Sequence, residues 1–146
     1  MAISLNAEPT LDTKGFEWVD VGTINPETKE AEASLLVHSA FNPEFKAVEG
    51  YIDRHMTTLQ ANAGVGTDSF NLPENAQQLL ERVDYLRRKN TAEHLVSDWK
   101  GVDAPYSVEN CIKLFDLRPD IYNQVREAGY RIGLRIKAQR EETKGK

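Results

Sequence analysis

The chain has 146 residues and a formal net charge of −5; 40% of its residues are hydrophobic and 28% are charged. This composition suits a single globular domain with a modest core and excludes a wholly disordered chain. Its apolar runs are far shorter than the roughly 20 residues that cross a bilayer, so we expect no membrane association. The single cysteine excludes an internal disulfide, and the first residues lack a signal-peptide pattern, which together predict a cytoplasmic protein.

Charge is divided unevenly along the chain. Residues 1–72 hold 11 acidic and 4 basic side chains, a net charge of −7, whereas residues 73–146 hold 12 acidic and 14 basic ones, a net charge of +2. Residues 118–146 alone hold 8 basic and 4 acidic side chains. Because the acidic residues interrupt this basic tail, the pattern does not favour nucleic-acid binding.

Two strands are predicted after an irregular arm. Residues 16–21 alternate in side-chain type and contain aromatic and β-branched residues, which favours a strand. Residues 31–38 also alternate, and the residues on one face are Ala31, Ala33, Leu35 and Val37. The turn-rich segment 24–30 between them predicts a β-hairpin, which needs helices or a second subunit to cover it.

The next two predicted elements are helices. Asn42 as N-cap and Pro43 in the first turn begin the first of them. Its apolar stripe is Phe45, Val48, Ile52, Met56 and Leu59. Pro73 begins the second helix after a flexible loop. The stripe of the second helix is Ala76, Leu79, Leu80, Val83 and Leu86.

The apolar periodicity then changes phase. At about 100° per residue, Leu95 and Trp99 fall on the side of the second helix opposite to Val83. We therefore expect a kink or a stop near residues 90–91 and a new short helix, capped by Thr91 and closed by Trp99.

Two further helices complete the chain. Ser107 is predicted to cap one that carries Val108, Cys111, Ile112 and Phe115. Pro119 begins the last, whose buried stripe is Ile121, Val125, Ala128, Ile132 and Ile136.

These elements predict an α+β, mostly helical fold in which an N-terminal β-hairpin is followed by a small bundle of four to five helices. We expect one domain over residues 1–146. Within it, residues 1–14 form an irregular arm, 15–40 the hairpin, 42–140 the helical part and 141–146 a flexible tail.

Residues with catalytic or ligand chemistry are scattered. The three histidines, His38, His55 and His94, lie on a predicted strand and two separate helices, and Cys111 has no second thiol near it. The Gly-Val-Gly sequence at residues 64–66 lacks the lysine and hydroxyl residue of a phosphate-binding loop. We therefore expect no metal, no cofactor and no catalytic site.

Several large side chains lie off the apolar stripe of their helix. They are Tyr51, Tyr85, Tyr130 and Leu134. Such residues are commonly isolated on a surface, but several on different helices can form a contact patch for a partner. Trp99 has two interpretations as well: a core residue, as large aromatics usually are, or a hot spot in a partner's groove.

The order of residues around Trp99 resembles a known family. Asp98-Trp99-Lys100-Gly101 is followed by Ala104-Pro105-Tyr106-Ser107-Val108-Glu109-Asn110, then an apolar turn and a helix that begins with proline. This segment is similar to one in the tail assembly chaperones of long-tailed bacteriophages, and it covers about a quarter of the chain.

The resemblance implies a non-enzymatic helper in the cytoplasm of the infected host. Such a protein binds the tape-measure protein, keeps it soluble and recruits tail-tube subunits, and it is not expected in the mature virion. Self-association of an acidic half with a basic tail is a further expectation. Two alternatives stay open: a structural tail or connector protein retained in the virion, and a small nucleic-acid-binding regulator.

Overall fold

The computed structural model describes residues 5, 11–62 and 76–144, and the side-chain environments of residues 5, 11–58 and 80–134. It has an α+β fold with three strands and four helices in this part of the chain, which confirms the predicted fold class. In chain order the elements are β1 (Phe16–Ile24), β2 (Ala31–His38), α1 (Pro43–Asn62), α2 (Ala76–His94), β3 (Val96–Lys100), α3 (Val108–Leu117) and α4 (Pro119–Lys144).

The predicted β-hairpin is present. β1 and β2 pair antiparallel, with Val19 opposite Leu35 and Val21 opposite Ala33, and these four side chains are buried on one face. The connecting turn is closed by hydrogen bonds from the Asn25 amide to the Glu30 carbonyl and from the Lys29 amide to the Asn25 carbonyl, both 2.8 Å long. The strict alternation of side chains in β2 therefore correctly predicted both the strand and the face that is buried.

The prediction of a helix from Thr91 to Trp99 is wrong. α2 continues through residues 90 and 91 to His94, and residues 96–100 form β3, which pairs antiparallel with β2. Thr91 lies inside the helix, where its hydroxyl donates to the Arg87 carbonyl at 2.8 Å instead of capping a new helix. The apolar phase changes because Leu95 and Trp99 lie beyond the end of α2, Leu95 directly after the helix and Trp99 in β3.

Strand β3 was missed because its pattern is irregular. It has only five residues, and their burial does not alternate. A bulge between Leu36 and Val37 of β2 shifts the pairing, so Val96 and Trp99 both lie buried although they are three residues apart. A bulge of this kind hides the period of two by which a strand is recognised.

Three other predicted helix starts are confirmed. The Phe45 amide donates to Asn42 Oδ1 at 2.8 Å, and the Asn110 amide donates to Ser107 Oγ at 3.0 Å, so both residues cap their helices. Pro119 begins α4. Pro73, the predicted start of the second helix, lies outside the described residues. α4 runs to Lys144, so residues 141–144 of the predicted tail are helical.

One core connects all seven elements. The inner face of the sheet packs against the helices, and the members of this core with 2% exposure or less include Val21, Leu35, Val37, Phe45, Leu95, Phe115, Val125 and Ile132. In α1 the predicted stripe is only partly buried: Phe45 and Ile52 are covered, whereas Val48 is exposed.

Helix α4 approaches the segment after β2 very closely. The carbonyl of Gly129 accepts a hydrogen bond of 2.9 Å from the Ala40 amide, and the carbonyl of Gly133 accepts one of 2.8 Å from the Asp12 amide. A Cβ atom at Gly133 would lie 2.1 Å from Cδ2 of Phe41. Only glycine leaves room for this contact between the last helix and the loop that follows the hairpin.

We predict that Gly133→Ala destabilises the protein by about 2 kcal/mol, because the added methyl group forces Phe41 out of its packed position. The matched control is Gly50→Ala. Gly50 also lies within a helix, but the nearest atom to an added Cβ there is 3.7 Å away.

Alanine at residue 50 should be neutral or stabilising by about 0.5–1 kcal/mol, since alanine favours a helix more than glycine does. The free energy of unfolding of both variants, measured by urea denaturation, checks the pair. Equal effects of the two substitutions would show that the contact with Phe41 is not tight.

Candidate interaction surface

The outer face of the sheet carries exposed apolar side chains. Trp18 of β1 lies opposite Leu36 of β2, and Phe16 lies opposite His38. Phe16 is 58% exposed and Trp18 is 42% exposed, whereas Leu36 is half-buried between its neighbouring strands. We call this surface, formed by the outward side chains of β1, β2 and β3, the outer sheet face.

Polar residues hold the aromatic side chains of this face in place. Nζ of Lys100 lies 4.3 Å from the centre of the Trp18 ring, a cation–π contact. The rings of Phe16 and His38 are 5.4 Å apart. Both exposed aromatics therefore have a contact partner within the sheet.

Acidic side chains stand on both edges of the outer sheet face. Asp20 on β1 accepts a hydrogen bond of 2.7 Å from the Ser34 hydroxyl, and Asp98 lies opposite Leu36 on β3. An apolar centre with a polar rim is the usual composition of a protein–protein interface.

Sequence reasoning did not select the outer sheet face. A signal was present in the sequence. Because side chains alternate along a strand, Phe16 and Trp18 lie on one face of β1 whereas Val19 and Val21 lie on the other. A strand that is apolar on both faces needs cover on both faces. In the described part of the chain, the helices cover the face with the valines and leave Phe16 and Trp18 exposed.

Of the five predicted contact residues, Trp99 lies in the core. It is 8% exposed, its Nε1 donates to the Ala104 carbonyl at 2.8 Å, and its ring meets that of Tyr106 edge-on at 5.3 Å. The core interpretation of Trp99 is therefore confirmed, although the residue closes a strand instead of a helix.

The other four predicted contact residues do not share one environment. Tyr130 packs against the core, with its ring edge-on to Phe41 at 5.6 Å. Tyr51, Tyr85 and Leu134 are exposed by 62%, 38% and 58%. They lie on α1, α2 and α4 respectively. Their role as partner contacts stays a prediction.

The residues that carry the family resemblance form the connection from β3 to α3. Tyr106 donates from its hydroxyl to the carbonyls of Ala92 and Val96, at 3.0 and 2.6 Å. Asn110 donates to the Pro105 carbonyl at 3.0 Å, and Ser107 caps α3. These contacts of Tyr106, Ser107 and Asn110 therefore stabilise the connection within the fold.

A buried carboxylate joins three helices. Glu49 of α1 is 7% exposed and accepts two hydrogen bonds of 3.0 Å from the guanidinium group of Arg126 on α4. Arg87 of α2 donates to the same carboxylate at 2.8 Å, and the Asn90 amide group at 3.2 Å. The sequence contains a signal for this site, since Glu49 lies in phase with the apolar stripe of α1.

The network keeps Glu49 ionised. Burial disfavours the charged carboxylate, but the hydrogen bonds and positive charge of Arg126, with Asn90 and the charge of Arg87, outweigh burial and lower the pKa of Glu49. A second ion pair joins the sheet to the connection between α3 and α4, where Arg118, the C-cap residue of α3, holds the pKa of Glu32 well below its usual range.

We predict that Glu49→Gln lowers the free energy of unfolding by roughly 2 kcal/mol at pH 7, because two arginines lose their shared carboxylate. This value is below that for a fully buried pair, since the side chains of Arg87 and Arg126 are 27% and 19% exposed. Urea denaturation measures the change.

The difference in the free energy of unfolding between wild type and Glu49→Gln should depend on pH. The pKa of Glu49 is lower in the folded protein than its ordinary value of 4.5, so its stabilising effect is present above pH 4.5 and is lost as the pH falls towards the folded-state pKa. The stability difference between wild type and Glu49→Gln should shrink over that range.

The control is Asp53→Asn, which removes an ion pair of the same Arg87 from a side chain that is 66% exposed. It should cost less than about 1 kcal/mol. A larger loss at Asp53 than at Glu49 would contradict the importance of burial.

Shallow clefts open on the surface of the described residues. One of about 400 Å³ between α2, α3 and α4 is lined by Arg88, Asp116 and Tyr122, among others. Another, of about 310 Å³, contains Ser97, whose Oγ lies 2.7 Å from Nε2 of His38. Burial lowers the pKa of His38 and so favours its neutral form. That hydrogen bond joins the end of β2 to β3.

The single cysteine is buried in the core. Cys111 on α3 has no exposed surface, and burial raises the pKa of its thiol to about 12.

Among residues 11–62 and 76–144, no three histidine, cysteine or acidic side chains are arranged to hold a metal ion. No helix in the described part of the chain is long and apolar enough to span a membrane.

Comparison with known proteins relates these features to a family. The family model described as YdaY prophage protein matches residues 40–146. The chain belongs to this prophage family. Protein YdaY of Escherichia coli strain K12 is 27% identical to it over 114 residues, which covers 72% of this chain and 94% of that protein. No solved structure matches the chain.

The family match begins two residues after β2 ends. It includes the four helices and β3, whereas β1 and β2 precede it. Membership makes the chain a phage-related protein, and it extends over the whole segment that resembles tail assembly chaperones. The outer sheet face is built mostly from strands that the family match does not include.

Proposed function

We propose that this chain is a non-enzymatic tail assembly chaperone that binds the tape-measure protein of its phage. In this role it keeps the tape-measure protein soluble and recruits tail-tube subunits in the host cytoplasm. The single observation that carries the proposal is the outer sheet face, where Phe16 and Trp18 are exposed to solvent beside each other's strand neighbours.

Two further observations support the proposal. The chain is a prophage protein by family, and residues 98–110 resemble the corresponding segment of tail assembly chaperones in order. A chaperone for a long helical protein needs apolar surfaces that accept helices. Several copies of this chain, each with low affinity, could bind along one tape-measure protein, and their combined binding would be tight through avidity.

A co-expression experiment tests the proposal. The tape-measure protein encoded by the same prophage is produced in bacteria with this chain, and separately with a copy of its gene that carries an early stop codon. We expect several-fold more tape-measure protein in the soluble fraction when the full chain is present, and its recovery with the chain on affinity purification. Tail-tube subunits added to that complex should bind to it.

Virion composition distinguishes a chaperone from a structural tail protein. We expect mass spectrometry of purified particles to detect the tail-tube protein and not this chain. A fixed copy number of the chain in each particle would contradict the proposal and favour the structural alternative. An unchanged solubility of the tape-measure protein would contradict it as well.

A further inference from the structure

The outer sheet face has the dimensions of one helix. Three strands spaced by about 4.8 Å place the centres of the edge strands about 10 Å apart, and an α-helix with its side chains is about 10–12 Å wide. β2 has eight residues, so the face is about 26 Å long. That length corresponds to a helix of about 17 residues.

The same face is too small for a stable contact between two copies of the sheet. Its footprint is roughly 14 by 26 Å, or about 370 Å². A stable interface between two folded proteins covers about 800 Å² on each partner. Area therefore favours a single docked helix over a second copy of this chain.

The charge of the outer sheet face favours a partner helix with basic residues beside its apolar stripe. The outward side chains of the three strands include three acidic residues, Asp20, Glu32 and Asp98, and one basic residue, Lys100, a net charge of 1 − 3 = −2. Glu32 is already paired with Arg118. On the outer sheet face, Asp20 and Asp98 lie on the two edge strands, on either side of the apolar centre. A helix that lies between them would place its flanking residues beside carboxylates.

We infer that the outer sheet face is the docking site for one amphipathic helix of a partner, whose apolar stripe is flanked by lysine or arginine. The stripe packs on Phe16, Trp18 and Leu36, and the basic flanks pair with Asp20 and Asp98. This inference rests on the proposed function, because it supplies the surface through which a tape-measure helix would be held.

A pair of designed peptides tests the inference without the tape-measure protein. Both have 17 residues and the same leucine stripe, but lysine flanks the stripe in one and glutamate in the other. Each is labelled with a fluorophore and titrated with the full chain, and binding is followed by anisotropy. We expect the lysine peptide to bind at least tenfold more tightly than the glutamate peptide.

Three variants locate the binding site. Trp18→Ser should weaken binding of the lysine peptide at least tenfold. Val48→Ser, which removes an apolar side chain of 36% exposure from α1, should leave affinity within twofold. The double variant D20N/D98N keeps the shape of the face and should lower both the affinity and its dependence on salt. Thermal unfolding of each variant confirms that it is folded.

Several outcomes would overturn the inference. They are equal binding of the lysine peptide to wild type and to Trp18→Ser, no binding of that peptide, or a wild-type dimer that Trp18→Ser dissociates. If Trp18→Ser solubilises the tape-measure protein as well as wild type does, the docking site is wrong and the proposed function stands. If the peptide binds as expected but the tape-measure protein stays insoluble, the proposed function fails and the docking site stands.

Discussion

The arrangement of the helices depends on one buried carboxylate. Glu49 receives hydrogen bonds from α2 and α4 while its own helix packs Phe45 into the core. A lone buried charge is very unfavourable, so the three helices are held in the one arrangement in which both arginines reach it. The two parallel hydrogen bonds from Arg126 add geometric specificity to the apolar packing of these helices.

The sheet separates two tasks between its faces. Its inner face completes the core with the helices, whereas its outer face is free of helices in the described part of the chain and carries aromatic side chains. The structural contacts of Trp99, Tyr106 and Ser107 tie β3 to the helical part. Because β3 belongs to the sheet as well, the hairpin and the family-matched segment share one layer.

Regular periodicity and capping chemistry explain why much of this fold could be predicted. Alternation in β2 defined its buried face, and Asn42, Ser107 and Pro119 marked helix starts by local hydrogen bonds or backbone geometry. Strand β3 could not be recognised, because a bulge removes its alternation and its pairing partner is about sixty residues away.

The outer sheet face was missed for a different reason. Its members are contributed by three strands, and the register that brings them together exists only in the folded sheet. The sequence alternation already placed Phe16 and Trp18 on one face of β1 and Val19 and Val21 on the other. It did not show which of these faces the helices would cover. Predicted contacts chosen from single helices mixed exposed residues such as Tyr51 with buried ones such as Trp99.

Cys111 has a practical consequence for work on this protein. Alkylating reagents attack the thiolate, and a thiol with a pKa of about 12 and no accessible surface provides almost none of it near neutral pH. In the folded protein, Cys111 should therefore not react with thiol-specific labelling reagents. A second cysteine introduced on any exposed strand or helix would accept a probe selectively, without first removing the native one.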